Sequence, residues 1–351
     1  MRRAIRFLFR SESFDGLNLT EPRGTGESIQ LGSIGNPYGN YHPLVSIVVI
    51  AYSLKRAKDL KDLLQSIDVQ SYDAIELIIV IERDERLYQF AMNLSIKQSK
   101  SVYFTSQRLG VSRSRNLGVS LSKGEIIAFV DDDAVLASDW ATSLVRDFDS
   151  EFIGVTGRVL PLWQFPEPLF FPKSMYWMLG CTAWKDTASP HRTHFATGTN
   201  MAFRREAFAN CRFELDIYYT DDRTKVHKGL SNDDNDFAVR LTTSTKRSIL
   251  YDPALLVYHK VYPERMKMSF VKDYAFWQGF DEGRYRSRPG WKMARQNEYS
   301  NFARSVINDL FGMQGGVTAS LKRLMLVCLA FSSAALGCVA FACNLYPELE
   351  N

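Results

Sequence analysis

Three short runs of branched apolar residues constrain the fold of this chain more than any other feature. They read VSIVVIAY from Val45, IELIIVIE from Ile75 and EIIAFV from Glu125. Uninterrupted apolar runs of this length are typical of strands that are covered on both faces of a sheet. Stretches with helical spacing of apolar residues lie between them. This alternation predicts an α/β fold, in which helices flank a mostly parallel sheet.

Polar residues stand where these predicted strands end. Tyr52 follows the first strand, Glu82 closes the second, and Asp131, Asp132 and Asp133 follow the third. Ligands of parallel sheets bind beyond the carboxyl ends of the strands. A D-x-D pair there can direct Asp131 and Asp133 to one face, with Asp132 pointing away, and its oxygens suit Mg²⁺ or Mn²⁺ beside a diphosphate. The aspartates could instead cap the next helix, and the triplet alone leaves both interpretations open.

Residues 324–346 form an uncharged segment that is long enough to cross a membrane. As a helix these 23 residues would span about 34 Å, against roughly 30 Å of hydrocarbon. Lys322 and Arg323 precede the segment, and basic residues favour the cytoplasmic side. The pattern predicts a single-pass protein of the cell membrane with its large N-terminal part in the cytoplasm. A buried core helix is the alternative.

The overall charge and the cysteines exclude several classes of protein. With 43 basic and 39 acidic residues mixed along the chain, no basic surface for nucleic acid is indicated. Five cysteines without CxxC spacing predict neither a disulfide framework nor a zinc site. The N-terminal sequence MRRAIRFLFR lacks the long apolar stretch of a signal peptide, although it could lie on a membrane surface.

These patterns divide the chain into four regions. Residues 1–42 are expected to be a poorly ordered or membrane-surface lead-in, and residues 43–260 a catalytic domain. Residues 261–321 are expected to form an amphipathic or interfacial region, and residues 322–346 a transmembrane helix.

Between residues 44 and 265 the chain resembles family 2 of the glycosyltransferases. The resemblance rests on four segments in the order and rough spacing of that family: VSIVVIAY, RSRNLGVSLSKGEIIAFVDDDAV, GTNMAFRREAF and DDNDFAVRL. Two more segments, MYWMLGCTAW and VYHKVYPER, look like enzymes that extend lipid-linked sugars, including archaeal glucosyl-dolichyl-phosphate glucuronosyltransferases. The resemblance implies a Rossmann-like GT-A fold, a nucleotide-sugar donor, Mn²⁺ or Mg²⁺, and inversion at the sugar carbon.

The resemblance also implies roles for individual residues. The residues expected to bind the nucleotide sugar are Tyr52, Glu82, Arg115, Asn116, Asp131, Asp132, Gly198 and Asn200. The expected metal ligands are Asp131, Asp133 and His259. Asp234 would be the general base, with Asp233 beside it. A helix N-cap at Asp233, a structural role for His259 and a plain turn at Gly198 are the alternatives. Family members more often carry Asp in place of Glu82 and Glu in place of Asp233.

The combined prediction is a metal-dependent, inverting glycosyltransferase at a membrane, with a UDP-sugar as the favoured donor. The expected acceptor is a lipid-linked sugar or a polyprenyl phosphate, and no nucleic-acid partner is expected. A nucleotidyltransferase is one rival, although no Gly-rich phosphate loop follows the first strand. A degenerate membrane-bound scaffold is another; the departures at Glu82 and Asp233 favour it, whereas the intact Asp131, Asp133 and Asp234 argue against it.

Overall fold

A single sheet forms the centre of the fold. The computed structural model describes residues 42–148, 151–182, 189–214, 232–292, 294, 305–309 and 316–346. The nine strands described there are β1 Val45–Ala51, β2 Ile75–Glu82, β3 Ser99–Thr105, β4 Ile126–Asp131, β5 Ala134–Leu136, β6 Phe152–Trp163, β7 His191–Thr193, β8 Met201–Arg204 and β9 Ser248–Val261. The helices that matter below are α1 Ala57–Asp68, α2 Glu85–Asn93, α3 Val111–Leu121, α4 Trp140–Asp147, α5 Asp233–Thr245, α6 Met268–Tyr285 and α7 Gly316–Ala342.

One half of the sheet is parallel and follows the order β3-β2-β1-β4. The apolar runs are buried in it, as expected for strands with helices on both faces. Leucines of α1 cover one face, while stacked and edge-to-face phenylalanines, among them Phe129, Phe213 and Phe237, fill the other. Within this half the predicted α/β architecture is confirmed.

The other half of the sheet is largely antiparallel and was not predicted from the sequence. Strand β8 runs antiparallel to both β4 and β6, and β9 runs parallel to β6 but antiparallel to β5. The short β5 begins directly after the aspartate triplet and pairs Ala134 with His259. This ribbon brings the end of β9 to the carboxyl end of β4, where the predicted site lies.

Helices α6 and α7 form a closely packed parallel pair at the C-terminal side of the described chain. A Cβ atom added at Gly279 would lie 1.9 Å from the carbonyl oxygen of Ala334, and one added at Gly337 would lie 1.9 Å from that of Phe276. Only glycine allows two helix backbones to approach so closely. Within α7, Ala319–Ala342 is the one helix of the described residues that is long and apolar enough to cross a membrane. The predicted lead-in over residues 1–42 lies outside the described residues except for His42.

The close contact between Gly337 and the backbone of α6 leads to a prediction about stability. Gly337→Ala should force α6 and α7 apart and destabilise the fold by about 1–3 kcal/mol, as overpacking does elsewhere. Ala335→Val, on the exposed side of the same helix, adds bulk without this clash and serves as the control. Thermal unfolding of the two variants in detergent measures the difference, and equal melting temperatures would contradict the close packing.

Candidate active site

The carboxyl ends of β1, β2 and β4 bring the predicted residues to one edge of the sheet. Ala51 pairs with Ile81, and Ile50 pairs with Asp131, so that Tyr52, Glu82 and the triplet lie side by side. This neighbourhood was expected from the parallel order of the strands. Burial raises the pKa of Tyr52 above its ordinary value.

Asp131, Asp133 and His259 form a cluster whose ligand atoms all lie within 4.8 Å of one another. Nε2 of His259 lies 3.0 Å from an oxygen of Asp133, and its Nδ1 lies 2.8 Å from the carbonyl oxygen of Leu179. The carbonyl accepts a hydrogen bond from the Nδ1–H group, so Nε2 is the ring nitrogen directed at the carboxylates. Two carboxylates and one imidazole nitrogen are a suitable donor set for a divalent cation.

The charged groups of this cluster strongly shift one another's pKa values. Burial alone would raise the pKa of Asp133, but Arg56 and His259 hold it well below its ordinary value. Burial alone would lower the pKa of His259, but the charge and hydrogen bond of Asp133 raise it to about 10. Burial raises the pKa of Asp132 to about 7, although Arg56 opposes the shift. The negative charge of Asp133 is therefore stabilised by two positively charged neighbours, Arg56 and protonated His259.

Arg56 is a site residue that the sequence interpretation missed. Its guanidinium group donates hydrogen bonds to Asp132 and, over 3.0 Å, to Asp133, and it lies 5.3 Å from the ring centre of Tyr52. Asp132 was expected to point away from Asp131 and Asp133 and to bind the nucleotide sugar; its described partner is this arginine. The sequence offered one signal for Arg56, namely its spacing from Tyr52, which it follows by about one helical turn.

Asp233 and Asp234 begin α5 and lie opposite α3. Arg115 donates to Asp233 over 2.6 Å, and Ser112 donates to the same oxygen over 3.2 Å. The backbone N–H groups of Gly198 and Asn235 donate to the two oxygens of Asp234, over 2.7 and 2.8 Å. Among the described hydrogen bonds the two carboxylates therefore have different partners, a cation for Asp233 and backbone amides for Asp234.

Asp234 has the pKa of a candidate general base. Burial, and then the charge of Asp233, raise its pKa to about 7, although Arg115 and the two backbone amides oppose the shift. A carboxylate with a pKa near neutrality can accept a proton and is about half ionised near pH 7. Gly198 leaves room for these side chains, because a Cβ atom there would lie 2.6 Å from the Arg115 guanidinium and 3.2 Å from Asp234 and would displace the guanidinium.

A cleft of ≈ 330 Å³ opens beside Tyr52 and the end of β2. Its lining comprises Tyr52, Glu82, Arg83, Asp84, Glu85, Arg86 and Arg108. Glu82 accepts hydrogen bonds from Ser114 over 2.5 Å and from the backbone of Gly110 over 3.3 Å, which ties the start of α3 to β2. Arg83 has a φ of 62°, a backbone conformation that is uncommon outside glycine and recurs at functional sites.

Two predicted donor-binding residues have partners inside the protein instead. Asn200 is 0% exposed, and its amide bonds to Trp140, to the carbonyl of Leu255 and to that of Arg158. Asn116 exchanges two hydrogen bonds with the backbone of Phe213, over 2.8 and 3.1 Å. Both amides therefore hold loops in place. The complete burial of Asn200 contradicts the prediction that its amide forms a hydrogen bond with a sugar hydroxyl.

Comparisons with known proteins agree with this geometry. The family profile described as glycosyl transferase family 2 matches residues 46–212. The glucosyl-dolichyl phosphate glucuronosyltransferase of Haloferax volcanii is 27% identical over 241 residues, which are 68% of this chain and 76% of that protein. Among solved structures, the mannosyltransferase PcManGT from Pyrobaculum calidifontis, in complex with GDP-Man and Mn²⁺, has a TM-score of 0.52 and 16% identity, and the match covers 86% of this chain and 88% of that one.

The matched family domain contains the aspartate triplet and Gly198, and the fold comparison extends over most of the sheet and helices described above. The sequence, the fold and the geometry of the site all indicate the same class of enzyme. The chain is therefore a glycosyltransferase of the GT-A fold, and its residues 46–212 form a glycosyl transferase family 2 domain.

Proposed function

We propose that this glycosyltransferase is metal-dependent and inverting, and that it moves a sugar from a nucleotide-sugar donor to a lipid-linked sugar. One observation carries the proposal, namely that two adjacent residues join the acidic cluster to the candidate base. Thr199 donates to Asp131 over 2.6 Å, and the N–H group of Gly198 donates to Asp234 over 2.7 Å. A donor whose diphosphate lies at the cluster would carry its sugar toward Asp234.

The residues of the cluster fit a divalent cation. Asp131, Asp133 and His259 would hold it, and their mixture of carboxylate oxygen and imidazole nitrogen is compatible with Mn²⁺ or Mg²⁺. When bound, the cation would neutralise charge on the diphosphate as the sugar–oxygen bond breaks. The Mn²⁺ named with the mannosyltransferase of the same fold supports this assignment.

The protein side chains would supply the remaining chemistry. Asp234 accepts the proton of the acceptor hydroxyl while that oxygen attacks the anomeric carbon, and a direct attack opposite the leaving diphosphate inverts the configuration. Arg115 holds Asp233, and the amides of Gly198 and Asn235 fix the Asp234 carboxylate, so that the base is oriented before the acceptor arrives. Arg265, whose charge acts on both Asp133 and His259, would face the diphosphate.

The raised pKa of Asp234 predicts a pH dependence of the rate. The base works only when ionised, and its pKa is raised to about 7. We therefore expect kcat to be lost as the pH falls through about 7, close to tenfold per pH unit below it, and to level off above it. Initial rates at saturating substrate measure this profile. A flat profile between about pH 5 and 8 would contradict the assignment of Asp234 as the base.

The donor class can be established by titrating the purified protein with UDP and with GDP, each with and without Mn²⁺. The cleft at Tyr52 and Glu82 is the proposed nucleoside site, and we favour UDP. Metal-dependent binding of one nucleotide would support the proposal, and a sugar-transfer assay with the corresponding donors then identifies the sugar. The proposal would be wrong if neither nucleotide bound with Mn²⁺ to the protein in a lipid environment.

The acceptor is proposed from two further observations. The relative from Haloferax volcanii is named for glucosyl-dolichyl phosphate, a lipid-linked sugar. The described chain also ends in an apolar helix that is long enough to hold the enzyme at a membrane. We propose a polyprenyl-phosphate-linked sugar as the acceptor.

A further inference from the structure

Helix α7 packs on α6 along nearly its whole apolar length. Leu326 and Ala330 share a buried cluster with Val271 and Ala275 of α6. Further along, Gly279 packs against Ala334 and Gly283 against Phe341, and Cys338 donates to the carbonyl oxygen of Gly279 over 3.0 Å. Residue numbers rise together in both helices, so the two run parallel.

Helix α6 in turn lies across the catalytic domain and contacts it near both ends. Near its start, Val271 packs with Met178, Leu179 and Val261. At its end, Tyr285 packs with Val111 of α3 and Val239 of α5, together with Trp291. The first turns of α7 are also attached to the domain, because Arg323 donates to the carbonyl oxygen of Leu169 over 2.7 Å. Helix α7 thus runs along the surface of the domain rather than away from it.

This arrangement is incompatible with α7 crossing a bilayer while it keeps its contacts. Helix α6 would have to enter the hydrocarbon together with α7, and it carries charged residues near both ends. Lys272 and Asp273 are 60% and 50% exposed, and Glu282 and Arg284 lie in the last turns. The two ends of α6 also pack on the catalytic domain through Val271 and Tyr285, so part of that domain would have to enter the hydrocarbon with it.

The outward face of α7 is nonetheless apolar and exposed. No charge occurs from residue 324 to residue 346. The exposed side chains are Leu324 at 47%, Met325 at 56%, Phe331 at 49%, Leu336 at 62%, Val339 at 55% and Leu345 at 62%. A continuous apolar face of this length is rare on a soluble monomer and marks an interaction surface. The segment that contains α6, on which α7 packs, is basic overall, since residues 261–292 contain seven Lys or Arg and four Asp or Glu.

We propose that α7 lies in the plane of an anionic lipid bilayer, with α6 still packed beneath it and its exposed face in the boundary between headgroups and acyl chains. Lipid is the occupant that matches both features, because acyl chains cover the apolar face while anionic headgroups attract the basic segment that contains α6. The catalytic domain and residue 345 then lie on the same side of the membrane.

The proposal has a consequence for the acceptor that rests on the proposed function. The side of α6 away from α7 faces the start of α5, where Gln278 accepts a hydrogen bond from Asn232, the residue before Asp233. One helix, about 10 Å across, therefore separates the membrane-facing helix from the candidate base. A sugar attached to a lipid phosphate at the membrane surface could reach Asp234 without leaving the bilayer.

Cysteine labelling in sealed proteoliposomes tests the orientation of α7 with the full chain. Leu345→Cys would report the end of α7, and Lys61→Cys, exposed on α1, would report the catalytic domain. Both are made with Cys328, Cys338 and Cys343 replaced by Ala, and this parent without a new cysteine is the background control. A membrane-impermeant maleimide should label both cysteines from the same side, whereas labelling from opposite sides would overturn the proposal in favour of a crossing helix.

Flotation with vesicles that contain phosphatidylglycerol tests the occupant. The double variant Leu336→Glu/Val339→Glu should reduce the vesicle-bound fraction about tenfold or more, since it places charge in the buried face. Val69→Glu, an equally exposed apolar position on the catalytic domain, should leave it unchanged. Unchanged flotation of the double variant, or loss of a dimer in detergent without loss of flotation, would overturn the proposal. Nucleotide titration is a separate measurement. If both cysteines were labelled from the same side but no nucleotide bound, the proposed function would be contradicted and the orientation of α7 would stand.

Discussion

Asp234→Asn should lower kcat by about 10²–10⁴-fold, the range of a lost general base, while nucleotide binding with Mn²⁺ stays close to that of the unchanged protein. The amide keeps the size of the carboxylate but cannot accept the proton of the acceptor hydroxyl. Asp234 lies outside the Asp131–Asp133–His259 cluster, so the metal-dependent step is left intact. Single-turnover transfer and nucleotide titration of the same preparation separate the two effects.

Asp236→Asn is the matched control on the same helix. Asp236 binds Arg240 over 2.9 Å and also pairs with Arg288, so its carboxylate ties α5 to the segment after α6. This variant should lower the melting temperature and leave the rate per folded molecule largely unchanged. The base assignment would be wrong if Asp236→Asn lost transfer and Asp234→Asn kept it.

The parallel half of the fold could be predicted because its signals are local. Strands buried on both faces need continuous apolar runs, and VSIVVIA of β1 is such a run, with every residue but Ile50 buried. The aspartate triplet at the end of β4 was equally visible, since its place depends only on where one strand ends. Carboxylates at a strand end and a resemblance in four segments were enough to indicate the cluster and its neighbours.

Contacts between distant parts of the chain could not be predicted in the same way. His259 reaches Asp133 because β5 pairs with β9 in one register, in which Ala134 faces His259 across 125 residues of chain. A shift of one residue would turn the imidazole to the other face of the sheet. The position of Arg56 likewise depends on the short helix Leu54–Arg56, which carries its guanidinium group to the aspartates.

The misjudged role of Asn200 has a related cause. Asn200 and Asn116 occur beside motifs of the donor site, and an amide that binds a sugar cannot be distinguished by sequence from one that binds a carbonyl group. Burial distinguishes them, and the burial of Asn200 comes from Trp140 of α4 and from the loop at Leu255 within β9. Contacts with elements far away in the sequence therefore give Asn200 a structural role instead of the predicted role as a sugar ligand.

Asp133→Ala should abolish Mn²⁺-dependent binding of the donor nucleotide, the largest effect expected of any single substitution at the cluster. Asp133 contacts both His259 and Arg56, so its removal takes away one ligand, leaves His259 without this carboxylate and leaves Arg56 with Asp132. A remaining pair of ligands, Asp131 and His259, is fewer than a protein normally uses for a divalent cation beside a diphosphate.

Calorimetric titration of the nucleotide with and without Mn²⁺ measures this loss. Asp147→Asn is the control, because Asp147 is equally buried but belongs to a separate ion pair with Arg146 near the other end of β9. Its metal-dependent binding should equal that of the unchanged protein. If Asp133→Ala retained the Mn²⁺ dependence, the cation would have to bind elsewhere. The three aspartates at the end of the strand would then serve to bind Arg56 rather than a metal. Loss in Asp133→Ala alone would instead connect the buried negative charge of the triplet directly to donor binding.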